Sequence, residues 1–237
     1  MKERILKYIS IAVVFLLCLL FIAKLAGPTI LRMYVEIGIA NCQKIPILCV
    51  APTAEIKDPQ INKEYLAGLT LYKFSDMHIL MPKTFLVVKE KIKKVYYKRV
   101  SRRQSGDVAY LLYERPYFFK NLFLKTERFG IKDDYDFFSR TMYAKLGNIQ
   151  NLTDVFFVII KSIFIPDLGS GGSLKIVKFS NADFRGFISY SLSEEDNYFD
   201  CNIFNRRDEF FKIYIKDKSD ALDLNKVLAI ISTINKR

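Results

Sequence analysis

Apolar and polar residues alternate along this chain with the periods of strands and of amphipathic helices, except in one stretch with no polar face. In residues 8–26, YISIAVVFLLCLLFIAKLA, Ser10 is the only polar residue between Ile9 and Ala23, and Lys24 then interrupts. A run that is apolar all round is not a surface helix. A bilayer core takes about 20 mainly apolar residues, with a lower range near 17. The run reaches that length if Lys24 snorkels its ammonium to the interface. Three readings compete: a cleaved signal peptide, a lipoprotein signal ending at Cys18, and an uncleaved anchor. No A-x-A-like cleavage site follows the run, and Leu17 stands where a lipoprotein signal needs a small residue. Lys2, Arg4 and Lys7 precede it with only Glu3 opposing. The expectation is a signal-anchor over 1–27, single-pass, with the N-terminus cytoplasmic and the C-terminal domain extracytoplasmic, periplasmic or extracellular.

Residues 28–41 carry a helical pattern after the Gly27-Pro28 break, with Arg32 and Glu36 spaced i,i+4. The proline-marked stretch 45–58 reads as an extended connector. Together 28–64 form a membrane-proximal helix and connector, and 65–237 a globular domain. Period-two patterns at 69–74 and 77–81 predict strands around Ser75-Asp76, and 92–100 predicts a basic strand with 108–115 as its hairpin partner. A helix capped by Asp133 or Asp134 runs to 146, and a second, started by Asn151 with Asp154, runs to 165 before Pro166. Four strands follow at 174–179, 184–193, 198–205 and 209–216, separated by NAD, SEED and RRD turns. Phe211, Ile213 and Ile215 alternate with Lys212, Tyr214 and Lys216, which predicts one buried face and one wetter face. Leu224, Val227, Leu228, Ile231 and Ile234 form the stripe of a last helix capped by Ser219 or Asp220. The fold class expected is α+β: an N-terminal transmembrane helix, then a mainly antiparallel sheet packed with helices.

Composition adds charge to this picture. The 237 residues include 20 Phe and 14 Tyr but no Trp, and the net charge is +12. Such a chain is attracted to anionic lipid, acidic polymers or nucleic acid. Charge is densest at 83–103, where nine basic residues face one acid, Glu90, with Tyr96 and Tyr97 interleaved. The candidate anionic-surface contacts are Lys89, Lys91, Lys93, Lys94, Lys98, Arg99, Arg102 and Arg103. The plainer reading is a sheet edge guarded by lysines. Of the four cysteines, Cys42 and Cys49 bracket NCQKIPILC and are spaced to close a small disulfide ring. With one histidine in the chain, no zinc spacing is present, and no cofactor or metal is implied.

The order of elements adds a resemblance. MHILMPKTFLV, then a hairpin, helices, the meander FRGFISYSLS, YFDCNIFNR and EFFKIYIKD, and a terminal amphipathic helix resemble the PsbP/Mog1-like α/β/α sandwich over residues 65–237. Met81-Pro82-Lys83 with Phe85 is similar to that family's apolar-Pro-polar-aromatic strand ending, one residue longer. The resemblance implies a binding or assembly-factor module, and carries over no ligand residues.

Catalytic candidates are thin. His78 and Cys201 would form a dyad only if the fold brought them together. GSGG at 169–172 lacks the Lys-Ser/Thr of a phosphate loop. Glu194, Glu195, Asp196 and Asp200 read as an acidic hairpin without calcium-loop spacing. VFFVIIKSIFI at 155–165 is too short to span and reads as a core helix or a docking helix. The functional expectation is a membrane-anchored extracytoplasmic binding or assembly-support protein without catalytic activity. Its partners would be the membrane, a protein of the envelope and an anionic lipid or polymer. The alternatives are an envelope hydrolase using Cys201 or a Ser with Lys, and a domain that binds nucleic acid through 83–103.

Overall fold

The computed structural model describes residues 2–38, 41–74, 77–83, 85–93, 95–101, 108–123, 129–165, 174–193, 197–217 and 222–236. Its centre is an eight-stranded sheet in the order β1-β7-β8-β9-β10-β6-β5-β4. The strands are β1 (Ala54–Lys57), β4 (Leu86–Lys93), β5 (Val95–Ser101), β6 (Val108–Glu114), β7 (Lys175–Ser180), β8 (Phe184–Leu192), β9 (Asn197–Asn205) and β10 (Phe210–Asp217). All neighbours are antiparallel except β1 and β7, so the sheet is mixed. A smaller sheet, β11-β3-β2, joins β2 (Leu69–Phe74), which follows the short helix α2 (Lys63–Ala67), with β3 (Met77–Pro82) and β11 (Asn235–Lys236).

The pleat of β10 sorts the core. Phe211, Ile213 and Ile215 face a cluster with Met81, Val227, Leu228 and Ile231, beneath the small sheet and α6 (Leu224–Ile231). Phe210 faces the opposite cluster, with Phe187, Phe204, Phe137, Phe138 and Ile160. That side is covered by α3 (Phe118–Leu122), α4 (Asp134–Tyr143) and α5 (Leu152–Phe164). Phe119 contacts Phe137, Phe138, Phe164 and Phe210 with ring centroids 5.0–5.8 Å apart. β9 is buried on both faces, although Asp200 and Asn202 interrupt its apolar residues.

Local signals set the helix starts. Asp133 accepts from Asp136 N at 2.6 Å to cap α4. Asn151 and Asp154 form a reciprocal capping box on α5, which accounts for Asn151-Leu152-Thr153 without a glycan. The cap of α6 is Asp223, not Ser219 or Asp220, which lie outside the described residues. Residues 92–100 are not one strand, since β4 ends at Lys93 and β5 begins at Val95 as its antiparallel partner. β1, inside the expected connector, pairs with β7 from Ala54 to Lys57.

The expected anchor is corrected. Among the described residues, no helix is long and apolar enough to cross a membrane. The transmembrane helix of the expected fold class, the signal-anchor, the single-pass topology and the extracytoplasmic placement are withdrawn. The uninterrupted run from Ile9 to Ala23 makes about 22 Å of helix against a hydrocarbon core of about 30 Å. Nor does the helix stop at Gly27-Pro28: α1 is continuous over Lys2–Gly38, with Pro28 inside it. Its last turns belong to the fold, because Val35 is fully buried among Leu48, Leu146, Ile149, Val155 and Val158. Arg32 Nε donates to Glu36 Oε1 at 3.0 Å on the outer side. α5 is accordingly a core helix between the large sheet and α1, with Phe157 and Ile160 in one cluster and Val155 and Val158 in the other.

Candidate binding groove

Two turns and the end of a helix form an open groove at one end of the large sheet. One part, with a volume of about 630 Å³, is lined by Phe184, Phe211, Ile234, Asp183, Arg206 and Arg207, among others. A second cleft of about 460 Å³ shares Asp183, Phe184 and Arg206 with the first and adds Arg185. The floor is aromatic: Phe184 and Phe211 meet edge to face with centroids 6.2 Å apart.

Each wall is set by an asparagine. In the turn between β7 and β8, Asn181 Oδ1 accepts from Asp183 N at 2.9 Å and from Phe184 N at 2.7 Å. In the turn between β9 and β10, Asn205 Oδ1 accepts from Arg207 N at 2.9 Å and from Glu209 N at 3.0 Å. Asp208 takes φ 61° there, and Asp208 N returns to Asn205 O at 3.1 Å. A tight turn closed by a left-handed residue is the usual three-residue hairpin loop, and Asp tolerates that conformation. Asn205 Nδ2 donates to Glu209 Oε2 at 2.6 Å, and Tyr113 Oη donates to Glu209 Oε1 at 2.8 Å, so the loop is braced from β6. Thr233 Oγ1 accepts from Leu80 N at 2.9 Å, which holds the α6 end of the groove to β3.

The three arginines are held differently. Arg185 lies 3.9 Å from the Tyr135 ring centroid and pairs with Asp133 at 3.4 Å and Asp208 at 3.8 Å. Arg206 Nε donates to Ala182 O, and the residue is exposed. The Arg207 side chain is exposed and makes no hydrogen bond or ion pair among the described residues. Asp208 caps α4 by accepting from Asp134 N at 2.7 Å and Tyr135 N at 3.1 Å. Burial pushes its carboxyl up to about 6, and the charges of Asp133 and Asp134 add to that, against the two amide hydrogen bonds.

The residues singled out from sequence lie elsewhere. Lys89, Lys91 and Lys93 occupy alternate positions of β4, the end strand of the sheet, with Lys89 opposite Arg99 and Glu90 opposite Lys98 on β5. Lys94, Arg102 and Arg103 lie outside the described residues, as do GSGG and Glu194 to Asp196. Cys42 and Cys49 are joined in a disulfide with Cα atoms 5.7 Å apart. Cys201 is fully buried in the sheet core, and burial pushes its thiol well above the ordinary range, which disfavours the thiolate a nucleophile needs. His78 sits on β3 of the small sheet, opposite Asn235.

The large sheet also carries a buried polar cluster that sequence reasoning did not assemble. Ser189 lies directly across from Asp200, and Asn202 across from Lys212. Lys212 Nζ is 3.0 Å from Asp200 Oδ1, an ion-pair distance without hydrogen-bond alignment, and 3.3 Å from Phe164 O. Asn202 Nδ2 donates to Asp200 Oδ2 at 3.0 Å, while Ser189 Oγ and Asn202 Oδ1 have no hydrogen-bond partner among the described residues. Ser189, Asp200 and Asn202 are at most 1% exposed, so Ser189 is closed to a substrate. The groove itself was half legible: its turns were marked by NAD and RRD, but nothing in the sequence placed the two together.

No protein-family model matches the chain, and no curated protein matches it in sequence.

Proposed function

We propose that the chain is a binding or assembly-support protein without catalytic activity, and that its partner seats in the groove between the β7–β8 and β9–β10 turns. The observation that carries this is Arg206 with Arg207 on a turn braced at both ends, above an aromatic floor. A braced turn on which the Arg206 guanidinium is already held pays little ordering entropy on binding. The resemblance to PsbP/Mog1-like modules supports the same class.

The test is a photoreactive residue placed at Asp183 of the full-length chain, with Leu152, which is 73% exposed on α5, as the control position. A discrete adduct from position 183 that disappears in the Arg206→Ala/Arg207→Ala background is the expected outcome. Equal capture from both positions would refute the reading.

A second reading has its own observation. β4 ends the sheet, with Lys89 opposite Arg99 and Lys91 and Lys93 at the next alternate positions, which suits an anionic polymer lying along that edge. Substituting Lys89, Lys91 and Lys93 by Gln would then flatten the salt dependence of heparin binding and leave groove capture unchanged.

A further inference from the structure

We infer that the occupant of the groove is an acidic peptide segment in which a carboxylate side chain neighbours an apolar one. This rests on the binding reading above and names its partner chemistry. The two clefts carry three arginines against one aspartate, Asp183. Arg185 is already neutralised by Asp133 and Asp208, so the charge on offer is that of Arg206 and Arg207. Both stand on one turn, and the Arg206 guanidinium is oriented by its bond to Ala182 O. A planar fork held in that way matches a carboxylate with two parallel hydrogen bonds.

The hydroxyls at the third wall are already engaged. Ser232 Oγ donates to Ala229 O and Thr233 Oγ1 to Ile230 O, each at 2.7 Å. The rest of the contact is the half-buried Phe184 ring, backed by the buried Phe211 and Ile234, which rewards an apolar group. An anion without an apolar body would leave that floor wet, and an apolar segment without an acid would leave Arg206 and Arg207 unused. The chain's net charge of +12 steers acidic partners toward it from a distance.

Fluorescence anisotropy of the full chain tests this with a labelled peptide alternating Glu and Leu, an all-Glu peptide of equal length, a Lys/Leu peptide and a single-stranded DNA oligomer. The Glu/Leu peptide is expected to bind tightest. Arg206→Ala/Arg207→Ala weakens it by about tenfold or more. Lys63→Ala/Lys175→Ala, which removes the same charge from two exposed sites away from the groove, leaves it unchanged. Equal weakening by both pairs would mean bulk attraction and overturn the inference. So would all-Glu binding as tight as Glu/Leu, or arginine-dependent binding of the DNA in preference to either peptide. No peptide binding with capture from position 183 intact overturns the acidic partner alone; loss of both overturns the binding reading as well.

Discussion

Lys161 donates its side-chain protons to the carbonyl of Val50, a residue 111 positions earlier in the chain. The same ammonium donates to Met142 O and Ala144 O, each at 2.8 Å. One fully buried side chain therefore ties α5 to the end of α4 and to the segment that follows Cys49. Burial pushes its pKa down to about 7, and the charge of Lys145 pushes the same way.

Lys161→Met keeps the volume and removes the donor, leaving three carbonyls short of a partner. The expected loss is about 3 kcal/mol at neutral pH, since each unsatisfied buried group costs about 1–3 kcal/mol and relaxation recovers part. Urea titration measures it. The variant also reports linkage. A folded pKa of about 7, below the ordinary lysine value, means that the group's contribution is present above the unfolded pKa and lost as pH falls through 7. The stability of the natural chain rises relative to the Met variant between pH 7 and 10; a constant gap would show that the ammonium stays charged throughout.

Opening the Cys42–Cys49 ring should loosen the same corner. The ring holds Ile47 and Leu48, both fully buried, one in the aromatic cluster and one against Val35 of α1. Closing eight residues is worth about 2.5 kcal/mol in the chain-entropy model. Reduction should lower the Tm by about 5–10 °C at this chain length. The Cys42→Ser/Cys49→Ser variant should match the reduced protein and ignore reductant. A Tm indifferent to reductant would mean that Ile47 and Leu48 hold the loop unaided.

Gly186 is constrained by close approach. A Cβ there would overlap the Asn202 carbonyl oxygen of β9 and touch Phe179 Cε1 at 3.0 Å. Because the first obstacle is backbone, it cannot swing away. Gly186→Ala should cost about 1–3 kcal/mol or more, read as a shift of the urea midpoint. Gly147→Ala, with nothing within 4 Å of its Cβ, serves as the control and should leave the midpoint within about 0.5 kcal/mol of the natural chain.

Asp208 links the groove to pH. Its folded pKa is raised to about 6, so the protonated form is favoured by the fold; the contribution is complete below the ordinary aspartate value and lost as pH rises through 6. Asp208→Asn keeps the left-handed backbone and an acceptor for the α4 amides but does not titrate. The natural chain should lose stability relative to the Asn variant between pH 4 and 7. Parallel Tm profiles across that range would show that Arg185 holds the carboxylate ionised.

Much of the C-terminal half was legible locally. The strand from Phe210, the cap at Asp133 and the box of Asn151 with Asp154 are decided within a few residues, by side-chain alternation and by which oxygen reaches which amide. β1 was not legible, because four residues among prolines become a strand only when β7 offers its edge. Nor was the split of 92–100, where a continuous basic pattern hides the reversal between Lys93 and Val95. The first 38 residues show the same limit. Their apolar run suggested a span, but the helix passes through Pro28 and ends with Val35 buried in the domain, and no described helix has the apolar length to cross a bilayer.

The sequence by itself determined the α+β class, the meander from β7 to β10, the caps of α4 and α5 and the strongly basic charge, because each depends on short-range periodicity or on composition. Tertiary structure alone decided that Arg206 and Arg207 share a groove with Phe184, that Lys161 is caged by carbonyls from two distant segments, and that Ser189 is sealed beside Asp200. Those juxtapositions depend on strand order and register, which bring residues tens of positions apart within a few ångströms and leave no local trace in the chain.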